Sequence, residues 1–411
     1  MMKRMVFTLL AVAGWLPGLH GQTLSGDWKG VLEAGTQKIT LALHIGDGQI
    51  TMDSPDQGAM GIPAKVAFLG PDSIDFSIPQ IGMTYAGRLH GDVLRGQFRQ
   101  GMFAAVLDFR QGAVTYDRPQ HPVPPYGYRT EEISYHSPSS GADIAGTLCL
   151  PVGYKQGDRV PVVLFVTGSG PENRDEEIFG HRPFLVIADY LARRGIASLR
   201  CDDRGVGGST VGDSARCTTA DFAEDAAAGL DYLRHRTDKF GPVGLLGHSE
   251  GGSIAFMLAA KGKADFIISM AGCGVKGDTA LTAQTNRIME LSNIPKRMTI
   301  EEYVNQPAVA GNAWFRYFVN YDPTADLRAI RCPVMAINGT NDCQVICDLN
   351  LPAIQRNLPP GKHHLVKAYP ALNHLFQHST TGLPAEYSQI TETISPEVLE
   401  DLATWINGMR K

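Results

Sequence analysis

The chain predicts two folded parts: a small all-β barrel or sandwich, then a larger α/β domain whose mostly parallel sheet carries helices on both faces. Three observations carry that expectation. Residues 22–118 alternate apolar and polar side chains in short runs broken by glycine-rich turns. Residues 128–411 alternate β-like apolar runs with stretches of helical periodicity. Between them, residues 119–127 include Pro119, Pro122, Pro124 and Pro125, the composition of a semi-rigid, extended linker. At 411 residues, two domains are also the better prior.

Residues 1–21 stand apart from both parts. Lys3 and Arg4 are followed by an almost wholly apolar run, 5–16, and then by Leu19-His20-Gly21, a small-residue cleavage site. The run is too short to span a bilayer as a helix, so the expectation is a removed secretory signal and a periplasmic or secreted mature chain beginning near Gln22. No cysteine follows the run, which argues against a lipoprotein, and no stable membrane anchor is expected. A net charge of −5 gives no electrostatic reason for a nucleic-acid partner. The seven cysteines leave at least one unpaired within the chain. Cys201 with Cys217, or Cys343 with Cys347, is spaced for a disulfide, and the sequence leaves both open. No CxxC and no His/Cys zinc spacing occurs, so neither metal nor cofactor is expected.

In the first part, Ile39, Leu41, Leu43 and Ile45 alternate with Thr40, Ala42 and His44, placing one face inward. Similar runs recur at 50–52, 65–69, 73–78, 84–89, 93–98 and 104–109, with Asp47-Gly48, Gly70-Pro71-Asp72 and Gly91-Asp92 as turns. No polar cluster or aromatic stripe marks a ligand site, so a structural or dimerising module is favoured over a ligand-binding barrel. A homo-oligomer stays open. A β-propeller cap, at about 4–8 blades of about 40–50 residues, does not fit this length.

In the second part, strands are expected at 144–150, 160–166, 196–201, 266–271, 334–338 and 362–369. Helices are expected at 183–193, at 221–236 and at the C-terminus through Val398, Leu399, Leu402 and Ile406. The centre of the domain is Gly247-His248-Ser249-Glu250-Gly251, with an apolar strand before it and a helical run after it. That is the setting of a nucleophile elbow, which lifts a serine above the C-terminal edge of a sheet. The glycines let strand and helix pass closely.

A serine hydroxyl is a weak nucleophile until a histidine takes its proton and a carboxylate orients that histidine. In this chain order the acid follows the strand at 334–338, which selects Asp342 over Asp348, the latter being placed inside the next helix. The histidine follows the last strand, which selects His374, with His378 one turn further on as the fallback. His363 and His364 are expected to begin that strand, and His248 to be a packing residue whose side chain points away from the serine. An oxyanion needs two backbone N–H donors, here expected from Glu250 and from Ser169 in the loop Thr167-Gly168-Ser169-Gly170-Pro171. The loop from Asp202 to Ser209 is expected to brace the site by ion pairs. The insertion 273–331, rich in Met289, Met298, Trp314, Phe315, Tyr317 and Phe318, would hang over the serine as a lid. The plainer reading is that most of these side chains simply pack the insertion onto the sheet.

With these residues in place the chain resembles the bacterial α/β-hydrolase serine esterases of the EstD type. The likeness runs through 167–171, Asn173 to Glu176, Arg200 to Ser209, Gly247 to Gly252, Gly339 to Val345 and Leu372 to Gln377, and so covers most of residues 126–411. A small N-terminal β-domain recurs in such proteins. The resemblance implies an α/β-hydrolase fold, carboxylesterase activity on short acyl chains, and Ser249, Asp342 and His374 as the matching triad. One departure is that many relatives open the oxyanion loop with His-Gly, where this chain has Thr167-Gly168. The backbone donor survives that change, while a side-chain brace is lost.

The leading expectation is therefore a serine carboxylesterase acting on a small-molecule ester through an acyl-enzyme on Ser249. A serine peptidase of the prolyl-oligopeptidase kind is the enzymatic alternative, against which stand the missing propeller and the absence of an obvious acidic cluster to hold a peptide amine. A glycan- or lipid-binding protein with an inert hydrolase domain is the alternative outside enzymes. Failure of a fluorophosphonate probe to label Ser249 would favour it.

Overall fold

A computed structural model of the chain describes residues 24–34, 37–57, 59–213, 217–236 and 238–410. The expected signal segment, 1–21, lies outside the described residues. The chain divides into two compact units, one within Met1–Pro55 and Ala59–Thr115, the other within Asp56–Gly58 and Tyr116–Lys411.

The first unit is one antiparallel sheet. Its strands are β1 (Gly26–Ala34), β2 (Gln37–Gly46), β3 (Gln49–Ser54), β4 (Ala59–Pro63), β5 (Lys65–Leu69), β6 (Ser73–Ile78), β7 (Met83–His90), β8 (Val93–Gln100) and β9 (Phe103–Gln111), in the order β4-β3-β2-β1-β9-β8-β7-β6-β5. The Ala64 N–H donates to the Ile50 carbonyl at 2.9 Å, drawing the β4–β5 corner onto β3, so the sheet curls into a nearly closed barrel. One apolar core fills it, with Leu43, Phe76, Tyr85, Leu107 and Phe109 fully buried. The Tyr85 hydroxyl donates to the carbonyls of Leu94 and Leu107, at 3.0 and 3.1 Å, so the buried phenol is satisfied. Two strands were not expected. In β1 the buried positions Trp28, Gly30 and Leu32 do alternate, but two glycines and a lysine among them conceal the period. β4 is too short and glycine-interrupted to stand out.

The second unit contains β10 (Arg129–Ser137), β11 (Ala142–Leu150), β12 (Val160–Val166), α1 (Pro183–Ala192), β13 (Ala197–Cys201), α2 (Thr219–Arg234), β14 (Phe240–His248), α3 (Glu250–Ala260) and β15 (Phe266–Met270). The insertion α4 (Gly277–Leu291), α5 (Ile300–Val304), α6 (Pro307–Gly311), α7 (Ala313–Asn320) and α8 (Thr324–Ala329) follows. Then come β16 (Val334–Gly339), α9 (Cys347–Asn357), β17 (Leu365–Tyr369) and α10 (Pro396–Asn407). The eight-stranded sheet runs β10-β11-β13-β12-β14-β15-β16-β17, antiparallel at β10–β11 and β11–β13 and parallel thereafter. This is the α/β-hydrolase architecture. β10 escaped the sequence reading because it opens on Arg129-Thr130-Glu131-Glu132, a polar start that pairs as a hairpin with β11.

Both faces of the sheet are covered, and the period-two rule decides which side chain goes where. On β12, Val162 and Leu164 join the core built with α2, α3 and α9, while Val163 and Phe165 join the core built with α1 and α10. Each such fully buried side chain contributes about 1.5–3 kcal/mol. The proline-rich stretch is fastened to the second unit rather than free. Arg118 donates to the carbonyls of Phe179, Ser388 and Ile390, and Gln120 bonds Thr393 and Ile394.

The topology places the site. From β12 the chain goes to β13 on one side, then crosses to β14 on the other, so the crevice at the C-terminal end of β12 is a switch point of the kind where ligands bind open α/β sheets.

Candidate active site

β14 ends at His248, Ser249 turns, and α3 begins at Glu250. Ser249 has φ 53° and ψ −112°, a left-handed backbone that a serine adopts only at a cost of about 1–3 kcal/mol. Its N–H is held by the Met270 carbonyl at 2.8 Å. The flanking glycines are there for closeness. A Cβ on Gly247 would lie 1.9 Å from the Gly251 carbonyl oxygen, and one on Gly251 would lie 2.2 Å from that of Val166. The turn therefore admits no side chain on either side of the serine.

Asp342 follows β16. Its Oδ1 accepts the N–H groups of Gln344 and Val345 at 2.8 and 2.9 Å, and α9 begins only at Cys347. Its Oδ2 accepts His374 Nδ1–H at 2.8 Å, and both side chains are buried. His374 follows β17 in a loop stapled by Asn373, whose Oδ1 accepts the N–H groups of Leu375 and Gln377. With Nδ1 engaged, Nε2 is the ring nitrogen left for a substrate or a hydroxyl. Ser249 and His374 line the same cavity, of about 840 Å³.

Ser169 lines that cavity as well, and Glu250 opens α3 directly after the serine. The neighbouring amide of Gly168 is already committed, donating to Glu176 Oε1 at 2.9 Å. Asp348 lies in the first turn of α9. His378 is exposed and pairs with Glu392, away from the cavity lining. His363 and His364 precede β17 instead of beginning it, because His364 Nδ1 accepts the Val334 N–H and is used to hold the start of β16.

Two expectations need correction. His248 is more than packing: it lines the cavity and uses both ring nitrogens, Nδ1 toward Glu176 Oε1 at 2.8 Å and Nε2–H to the His374 carbonyl at 2.9 Å. Burial works against its charge, but the Glu176 carboxylate outweighs it and raises its pKa. An acidic cluster is also present. Glu172, Glu176 and Asp203 line the cavity, and Glu250 lies beneath. Burial, reinforced by these neighbours, drives Glu172 well above the usual carboxylate range and lifts Asp203 to about 7. Both features escaped the sequence because the four carboxylates come from three separate segments, the loops after β12 and β13 and the first residue of α3. The only local signal was the density of acids in 172–177.

The other loops brace. Arg174 reaches Asp202 through Nε and Nη2, at 3.1 and 2.7 Å, and Arg204 pairs with Asp225. From the insertion, Asn312 Oδ1 caps α7 by accepting the N–H groups of Trp314 and Phe315. Trp314 Nε1–H then donates to Glu250 Oε1 at 2.7 Å. Trp314, Phe315 and Phe318 line the cavity, whereas Tyr317 packs against the sheet core and Met298 against the insertion's own cluster. Cys201, Cys343 and Cys347 are free thiols, so neither disulfide for which the sequence has the spacing is formed. Among the described residues, no helix is long and apolar enough to cross a membrane.

The chain is similar to known proteins over parts of its length. The family model described as serine aminopeptidase, S33, matches residues 182–356. The esterase EstD of Thermotoga maritima is 24% identical over 321 residues, which span 75% of this chain and 74% of that one, in keeping with the resemblance drawn from the motifs. Among solved structures, Est1E from Butyrivibrio proteoclasticus aligns with a TM-score of 0.48 and 16% identity, over 67% of this chain and 98% of that one. A Pyrococcus furiosus esterase aligns with a TM-score of 0.47 and 14% identity, over 72% and 99%.

Proposed function

We propose that this chain is a serine carboxylesterase that cleaves small carboxylic esters through an acyl-enzyme on Ser249. One observation carries the reading. A strained serine at a strand–helix turn opens onto the same cavity as a histidine whose Nδ1 is held by a buried carboxylate at 2.8 Å. The likeness to a named esterase supports it.

In this mechanism His374 Nε2 takes the Ser249 proton as Oγ attacks the ester carbonyl, and Asp342 stabilises the resulting imidazolium. The N–H groups of Ser169 and Glu250 hold the oxyanion. His374 then gives its proton to the departing alcohol, and a water repeats the cycle to release the acid and free the serine. The apolar wall of Trp314, Phe315 and Phe318 shapes the acyl pocket, with short acyl chains as the proposed preference. Read as a secretory signal, the segment 1–21 supports a working enzyme in the periplasm or outside the cell, which fractionation of the producing cells tests directly. The catalytic test is Ser249→Ala on p-nitrophenyl acetate: turnover should fall by a factor on the order of 10⁶, and hydrolysis at the wild-type rate would sink the reading.

A peptidase reading gains one specific observation, the carboxylates Glu172 and Asp203 in the cavity wall, where a substrate ammonium could be held. Faster cleavage of aminoacyl- or dipeptidyl-nitroanilides than of nitrophenyl esters would reverse the order.

A further inference from the structure

We infer that Glu176 and His248 are positioning residues that hold the histidine loop and the oxyanion loop in register with the nucleophile. The inference rests on the reading of Ser249 and His374 given above.

Three segments far apart in sequence must meet within tenths of an ångström: the loop after β12, the elbow after β14 and the loop after β17. Asp342 orients the ring of His374 but says nothing of where its main chain lies. That main chain is fixed from the other side. The His248 Nε2–H donates to the His374 carbonyl at 2.9 Å, and the two rings lie with centroids 4.7 Å apart. His248 is itself the last residue of β14, joined covalently to Ser249, so the bond ties the histidine loop to the nucleophile's own strand.

The other nitrogen closes the link to the third segment. His248 Nδ1 and the Gly168 N–H converge on one atom, Glu176 Oε1, at 2.8 and 2.9 Å. Pinning the Gly168 amide sets the orientation of the next peptide unit, whose N–H belongs to Ser169. Glu176 holds this place with φ 52°, a left-handed backbone for a side chain with a Cβ, and it is almost wholly buried. Strain and burial of this kind persist only where the surroundings impose them. Because both nitrogens of His248 are occupied, it shuttles no proton. It acts through His374 and Ser169.

The test compares Glu176→Ala, Glu176→Gln and His248→Phe with wild type in kcat and KM on p-nitrophenyl acetate, with thermal unfolding recorded for each and Ser249→Ala alongside. A misplaced reacting group costs turnover more than binding. Glu176→Ala and His248→Phe should therefore lose about 10²-fold in kcat with KM within about threefold. Glu176→Gln keeps an oxygen that accepts from Gly168 and His248, so its loss should be about tenfold, a partial rescue that a purely structural role would not produce. Folded variants with wild-type kcat, or a loss confined to KM, would overturn the inference. If the truncations do not fold, Glu176→Gln decides alone, and wild-type kcat there overturns it. A dead Ser249→Ala beside unaffected clamp variants removes only this inference. An active Ser249→Ala removes the site reading itself.

Discussion

The site holds two buried histidine–carboxylate pairs with the same contact distance. His374 Nδ1 meets Asp342 at 2.8 Å with side chains 6% and 0% exposed, and His248 Nδ1 meets Glu176 at 2.8 Å with side chains 7% and 4% exposed. By distance and burial alone they are indistinguishable. The second nitrogen separates them. In His374 it is left toward the cavity that Ser249 lines, and in His248 it is spent on a backbone carbonyl. A histidine beside a carboxylate is thus a proton carrier only where its far nitrogen is open. Otherwise the same pair is a brace.

The largest effects should fall on the first pair. His374→Ala is expected to cost a factor on the order of 10⁶ in turnover, and Asp342→Asn on the order of 10⁴, because the amide preserves shape but selects the wrong tautomer. Steady-state kinetics on a nitrophenyl ester would check both. If His248→Phe proved as damaging as His374→Ala, the roles of the two pairs would have to be exchanged.

The two pairs also differ in their neighbours, since Glu172, Asp203 and Glu250 gather around the second. Asp203 loses its proton near 3.8 in an unfolded chain but near 7 in the fold, mainly through burial. Folding therefore favours its protonated form, and this group's contribution to stability is lost as pH rises from about 4 through about 7. Melting temperatures measured across that window should decline for wild type relative to Asp203→Asn, which removes the titration. Parallel curves would show that the acid cluster is more open to water than its burial implies.

A smaller effect probes the insertion. Trp314→Phe keeps a ring in the cavity wall but removes the hydrogen bond to Glu250. It is expected to change kcat/KM several-fold, about 1 kcal/mol, and to alter acyl-length preference in a series of nitrophenyl esters. The smallest effect belongs to His378, which pairs with Glu392 in the same loop region and whose ring is 62% exposed. His378→Ala should leave turnover unchanged, which would confine the function to the buried pairs.

Legibility followed the range over which each feature is encoded. The elbow is local. Gly247, Ser249 and Gly251 are required by one tight crossing of strand and helix, so three residues announce it. Asp342 and His374 were reachable as candidates because each follows a strand that is legible in the sequence, Val334 to Ile337 as an unbroken apolar run and Leu365 to Tyr369 with only Lys367 interrupting it, and the chain order of the fold supplies the rest. The strands β1 and β10 were missed where glycine or charge interrupts the period, although the residues between still alternate once paired. His248 was misread, and Glu176 given no role, for a different reason. A glutamate in a loop and a histidine after a glycine have many uses, and only the approach of the loops after β12 and β17 selects one.

By itself, the sequence determined the two-part organisation, the α/β sheet and the candidates Ser249, Asp342 and His374, because periodicity, turn chemistry and order along the chain are properties of neighbouring residues. The tertiary structure decided what surrounds them: the nearly closed barrel of the first unit, the carboxylates gathered at the cavity and the brace from Glu176 through His248 to His374. Those depend on which loops the parallel sheet brings to one edge. There the His248 ring bonds a carboxylate 72 residues away and a backbone carbonyl 126 residues away, separations that no local pattern records.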